Sequence, residues 1–205
     1  MNRLLGLVAG TWIVTAAAAG SDTFDEQRPG TPPAGWTCGV TGGGVPKWTI
    51  EADASAPSPP NVLKQSGAGT FRWCVKTGTA VADGFVEVRF KPISGSEDRA
   101  GGVVWRWKDG DNYYITRANA LENNVSLYHT ESGRRITIQY VDAPVASNVW
   151  HTLRAEFSAR HIKVILDGKS AIELNDDHIS GTGAVGVWTK ADSVTAFDDF
   201  AFGGK

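Results

Sequence analysis

The sequence predicts an all-β protein, a two-sheet antiparallel sandwich of the jelly-roll type. Three observations carry this. Around a dozen short segments are rich in β-branched and aromatic residues and alternate with period two, separated by Gly, Pro, Asn and Asp clusters. No segment keeps a 3.6-residue apolar period over three turns. The 24 glycines, 9 prolines and 8 tryptophans suit a turn-rich β protein better than a helical one.

Residues 1–19 read as a secretory signal peptide, with Arg3 ahead of a short apolar run at 4–14 and small residues at 16–19. The run is too short to span a bilayer, and no later segment is long and apolar enough. Residues 20–205 then form a single domain, secreted or periplasmic, and expected as a monomer. The net charge of -2, with no long run of one sign, argues against nucleic acid and anionic membrane as partners. Cys38 and Cys74 are the two cysteines. In an oxidising compartment such a pair reads as a disulfide, here tying the N-terminal loop region to a strand around residues 71–75. Neither has a His or Cys at metal-ligand spacing.

In chain order, residues 22–26 open the domain and 28–36 read as loop, with Pro29, Gly30, Pro32, Pro33 and Gly35. Strands are expected at 48–52, 71–76 and 84–90, with irregular connections at 53–61 and 92–100. The centre of the chain is GGVVWRWKDGDNYYITRANALENN, residues 101–124. Asp109-Gly110 between two apolar runs signals a hairpin, because both turn positions want φ > 0. Centring the turn there pairs Arg106 with Tyr113 and Val104 with Ile115. Beyond it, strands are expected at 125–129, 135–141, 150–157, 161–166, 171–174, 184–189 and 197–202, with Asp167-Gly168 turning another hairpin.

The period-two register divides the central hairpin into two faces. Val103, Trp105, Tyr114 and Thr116 read as core. Arg106, Tyr113 and Arg117, with Asn119 just beyond, put two guanidiniums and a phenol on the other face. That face reads as solvent-facing, either a plain wet surface or a ligand-facing one, since burying it unpaired is costly.

The central run, followed by WHTLRAEF, IKVILDG and GAVGVWTKADSVTAFDDF, resembles secreted bacterial domains of the concanavalin A-like lectin/glucanase superfamily. Within it the closest resemblance is to the 3-keto-disaccharide hydrolase-like domains. It covers residues 24–202 and implies a two-sheet jelly roll whose concave face meets glycans. One jelly roll hosts lectins, glycosidases and interaction modules, so the fold does not choose among them.

The chemistry narrows the choice. Retaining glycosidases need two carboxylates about 5–5.5 Å apart, and the E-x-D-x-x-E strand pattern of laminarinase-like relatives is absent. Glu87 and Glu122 are the candidate catalytic acids; each reads equally as a surface carboxylate, Glu87 paired with an Arg and Glu122 solvated in a turn. Glu97 and Asp98, in a Gly/Ser loop, read as solvated. The four histidines, His129, His151, His161 and His178, fall in no nucleophile or zinc motif, which argues against zinc. Sugar binding needs aromatic faces and planar polar forks. Arg106, Tyr113, Arg117 and Asn119 suit it, with Asn123, Lys190 and Asp192 as rim. The resemblance also implies a structural calcium between the first and last segments, with Asp25 and Asp198 as ligands; both read otherwise as turn caps. Phe200 and Phe202 are expected inward, with Asp198 on their side. The expectation is a secreted carbohydrate-directed domain that binds glycan or hydrolyses a modified sugar glycoside. The rival is a non-catalytic extracellular module for protein or cell-wall contact.

Overall fold

The computed structural model describes residues 19–205; the expected signal peptide, but for Ala19, lies outside the described residues. Fifteen strands and no helix occur among them. They are β1 (Ala19–Asp22), β2 (Trp36–Val45), β3 (Trp48–Ala52), β4 (Asn61–Gln65), β5 (Ala68–Lys76), β6 (Gly84–Ser94), β7 (Ala100–Asp109) and β8 (Asn112–Asn119). They continue with β9 (Asn124–Glu131), β10 (Arg134–Asp142), β11 (His151–Ser158), β12 (His161–Leu166), β13 (Lys169–Asn175), β14 (Ala184–Ala191) and β15 (Val194–Gly204). All pair antiparallel in two sheets. One runs β13-β12-β11-β6-β15-β4-β3, with β1 beside β15; the other runs β10-β9-β8-β7-β14-β5-β2. The expected all-β jelly-roll sandwich is therefore the observed one.

The inner faces make the main core. Val86, Val88 and Phe90 of β6 and Leu153, Ala155 and Phe157 of β11 are buried with Val103, Trp105 and Tyr114 from the other sheet. Trp105 stacks on Tyr114 and Phe157 at 5.4 and 5.8 Å. Each such side chain taken from water contributes about 1.5–3 kcal/mol. The predicted core face of the central hairpin is thus real.

The hairpin turn is shifted. Val104 pairs with Ile115 as expected, but Asp109 stands opposite Asn112, so Gly110-Asp111 rather than Asp109-Gly110 make the turn. Two residues of β7 are taken up in a bulge between Trp105 and Asp109, where Arg106 has φ 46°. A bulge bends its strand and raises the twist. Here it turns the hairpin tip over the outer face of its own sheet. Trp107 packs on Trp73 at 5.1 Å, and Thr41 bonds both the Gly110 carbonyl and, at 2.8 Å, the Tyr113 hydroxyl. Since β2 and β8 lie four places apart in the sheet order, this contact makes the outer face concave. A second apolar cluster fills it: Trp73, Val75, Val104, Tyr113, Ile115, Tyr128 and Trp188.

Three strands were not expected. β1, β2 beyond Trp36, and β4 carry few β-branched residues or lie beside Gly and Pro runs, so local propensity hides them. At the far end of the chain a bulge at Asp199, φ 47°, breaks the alternation of β15. Asp198 pairs with the exposed Arg89 on the outer face, while Phe200 is in the core; the expectation that the two share a side is corrected. The edge of β3 is not open, because Gly30 donates to the Ile50 carbonyl and Ile50 to that of Thr31.

Cys38 and Cys74 are bonded. They face each other in register on β2 and β5, so the tie is strand to strand, not loop to strand as expected. Cys38→Ala/Cys74→Ala should fold and lose about 2–4 kcal/mol in urea unfolding. An unchanged midpoint would mean that the β2–β5 ladder alone sets the stability.

Candidate functional site

The open part of the concave face centres on Asp98. Its loop follows β6 and is held by Asp192, at the β14–β15 turn. The Asp192 carboxylate accepts from the backbone N–H of Ser96 at 2.6 Å, Glu97 at 3.0 Å and Asp98 at 2.9 Å, and from the Ser96 hydroxyl at 2.8 Å. Burial opposes the charge, yet these donors hold the Asp192 carboxyl well below the usual carboxylate range. Gly95 takes φ 138° here, and a Cβ would meet the Asp98 carbonyl at 1.9 Å, so only glycine closes the loop.

Asp98 has no exposed surface. Its Oδ1 accepts from Arg117 Nη1 at 2.7 Å and Asn119 Nδ2 at 2.6 Å, and its Oδ2 lies 2.6 Å from Lys190 Nζ. Arg117 Nη2 donates to Glu122 at 2.9 Å and to the Tyr128 hydroxyl at 3.3 Å. The same Glu122 oxygen accepts from Asn124 at 2.8 Å and from the Tyr140 hydroxyl at 3.2 Å. The sheet register explains the gathering. Arg117 and Asn119 on β8, Asn124 and Tyr128 on β9, and Lys190 on β14 all fall on the concave side. Arg135 of β10 lies over Tyr128 at 4.1 Å and Phe71 at 4.5 Å, so a cation caps the aromatic floor.

Exposure separates what reaches solvent from what supports it. Arg117 is 3% exposed, whereas Glu122 is 38% and Lys190 24% exposed as side chains. Tyr140 is 47% exposed. Beside Lys190, a groove of about 320 Å³ runs between Gly69, Thr70 and Glu97.

Of the residues singled out in the sequence, Arg117, Asn119, Glu122 and Lys190 come together. Asn123 adjoins them as a turn residue, φ 50°, its side chain accepting from Val145 N–H. Asp192 positions the Asp98 loop. Three do not join. Arg106 is buried in the bulge, donating to the carbonyls of Ile179, Ala159 and Ala82. Tyr113 is buried under the hairpin tip with its hydroxyl on Thr41. Glu87 lies on the outer face of the other sheet, opposite Arg154. The predicted wet face is therefore corrected: its cations are buried and paired. Asp98, expected to be solvated, is the most enclosed acid of the group. Tyr128, Arg135 and Tyr140 were not singled out; plain alternation puts Tyr140 with Ile136 and Ile138, and the register shift between Thr137 and Gln139 turns it to the concave side instead.

No family model matches the chain, and no curated protein matches it. Solved structures do. The carbohydrate-binding module CBM66 from Bacillus subtilis is 19% identical, with a TM-score of 0.67 over 81% of this chain and 93% of that one. The Bacillus licheniformis β-glucanase is 13% identical, with a TM-score of 0.61 over 94% and 99%. The exoplasmic/lumenal domain of VIP36, in a Ca²⁺- and mannose-bound form, is 12% identical, with a TM-score of 0.55 over 90% and 88%. At these identities the likeness establishes the fold, the concanavalin A-like jelly roll expected from the sequence.

Removing Asp98 should strand the buried Arg117 charge. Asp98→Ala is expected to lose about 3–5 kcal/mol in urea unfolding. A loss below about 1 kcal/mol would show that water or Glu122 replaces the carboxylate.

Proposed function

We propose that this protein is a secreted carbohydrate-binding module, with the sugar seated on the concave face against Tyr140, Glu122 and Lys190. The observation that carries this is the layered polar cluster. Asp98, Arg117 and Asn119 form a buried, paired base, and partly exposed groups stand on it: the Glu122 carboxylate, the Tyr140 phenol and the Lys190 side chain, whose ammonium also pairs with Asp98. Rigidly supported polar forks beside an aromatic suit vicinal hydroxyls. The fold is shared with a carbohydrate-binding module and with a protein in a mannose-bound form, which supports the reading. A disulfide-bonded β-sandwich fits an oxidising, extracellular setting.

Binding is favoured over hydrolysis. Glu122 and Asp98 are bridged by one guanidinium, and Asp98 is fully covered. Burial works against the Glu122 charge, but the Asn124 hydrogen bond and Arg117 hold its carboxyl below the usual range. A carboxyl held ionised is a poor general acid. A glycan array on the protein, repeated with Tyr140→Ala and Glu122→Gln, tests the reading. Both variants should lose at least about tenfold in affinity, 1.4 kcal/mol or more, at unchanged melting temperature. No glycan retained at any concentration would instead favour the protein or cell-wall interaction module.

A calcium ion at Asp25 and Asp198 is part of the same proposal. Asp198 is fully buried under the 53–60 loop, accepting from Ser58 N–H at 2.8 Å. Burial first, then the neighbouring Asp199 and Asp25 charges, push its carboxyl up to about 6. Asp25, which accepts from Asn61 N–H at 3.1 Å, is near enough for its charge to act on Asp198, and a hard cation between such carboxylates would relieve that repulsion. Millimolar calcium should raise the melting temperature over that in chelator, by mass action, and Asp198→Asn should remove the difference. Identical melting in calcium and chelator would count against it.

A further inference from the structure

We infer that His129, Asp176 and His178 form a binding site for a zinc-class divalent ion, apart from the carbohydrate face and the calcium position. His129 stands on β9 on the core side, with Val125 and Leu127, and Asp176 and His178 follow β13 in the other sheet. The ligand-type atoms of the three side chains lie within 4.8 Å of one another. No sequence spacing announces this set, because the sandwich brings two distant stretches together.

Two independent observations point to a ligand. His129 is 2% exposed, yet neither ring nitrogen has a hydrogen-bond partner. A buried imidazole without partners is costly, and an ion at one nitrogen satisfies that nitrogen. Its ring is stacked at 4.0 Å and 20° against His178, which brings the two imidazoles together. The second observation is the support around Asp176. Its carboxylate accepts from the Tyr114 hydroxyl and, at 3.2 Å, from the His178 backbone N–H. The Tyr114 hydroxyl in turn accepts from Ile179 N–H at 3.1 Å. A carboxylate ligand oriented by an outer shell is the usual arrangement in metal centres.

The parts differ in freedom as a chelating site requires. His129 and Asp176 are enclosed, whereas the His178 side chain is half exposed on a loop, with its Nδ1 2.9 Å from the Asp176 carboxylate that an ion would share with it. Two imidazoles and one carboxylate suit zinc and its late first-row neighbours rather than calcium or magnesium. Three protein ligands leave a fourth position for water. Because β9 lies in one sheet and the 176–178 segment follows β13 of the other, a bound ion would tie the two sheets together.

The test is a titration of the chelator-treated protein with Zn²⁺, read by calorimetry and melting temperature, with Co²⁺ as the spectroscopic probe. One ion per chain, a raised melting temperature and cobalt bands in the visible are expected. His178→Ala, a surface change that should fold normally, should weaken binding at least about tenfold. His161→Ala, at an exposed histidine bonded to Glu173, should leave it unchanged. His129→Leu, which removes the unsatisfied ring, should match or exceed the metal-free stability and abolish the zinc response. No stoichiometric binding, or equal affinity in the protein and His178→Ala, would overturn the site. Should His129→Leu fail to fold, the His178→Ala titration decides alone.

Discussion

A carboxylate with no exposed surface organises the concave face. Asp98 can be buried there only because Arg117, Asn119 and Lys190 converge on it from two strands, and because Asp192 fixes the loop that delivers it. Buried ion pairs add little net stability, since desolvation offsets most of the attraction. Their value is geometric. With both terminal nitrogens committed, Arg117 is held in place, and its second nitrogen holds Glu122 at a set position. The solvent-facing groups inherit that rigidity.

The shape of the face has a separate cause. Inserting residues at Arg106 turns a flat hairpin into a hook, and the hook carries Trp107 and Gly110 over Trp73. One end of the concavity is thereby filled with aromatic side chains. The other end stays open around Lys190, Glu122 and Tyr140. The division between packed and accessible parts of one sheet surface thus follows from a single positive-φ residue.

How much of this could be read from the chain depends on the range of the interaction. Alternation in the 84–90, 101–107, 113–119 and 150–157 stretches reports local burial, and it separated the two faces of the hairpin except at Arg106, which the bulge places over Phe157. The turn position slipped because a bulge leaves no mark in a hydrophobic pattern. The same cause moved Asp198 to the other face of β15. The gathering of Arg117, Asn119 and Glu122 was legible because they lie on one strand and its turn. Asp98 was not: a Ser-Gly-Ser-Glu-Asp loop looks wet, and its burial depends on Asp192, nearly a hundred residues away in the chain. The meeting of His129 with Asp176 and His178 depends likewise on sheet packing.

The irregular strands have one more consequence, at the borders of the sheets. An unpaired strand edge is a template for another chain. Here each border is blunted. β3 is bonded to the loop at Gly30 and Thr31. β2 ends in Gly42-Gly43-Gly44 with a register break opposite β5. β10 is interrupted at Thr137–Gln139 and carries Arg134, Arg135 and Asp142, while β13 is kinked against β12 and carries Lys169 and Glu173. A chain whose only regular structure, among the described residues, is strand is thereby guarded against edge-to-edge aggregation by bulges, glycines and charge.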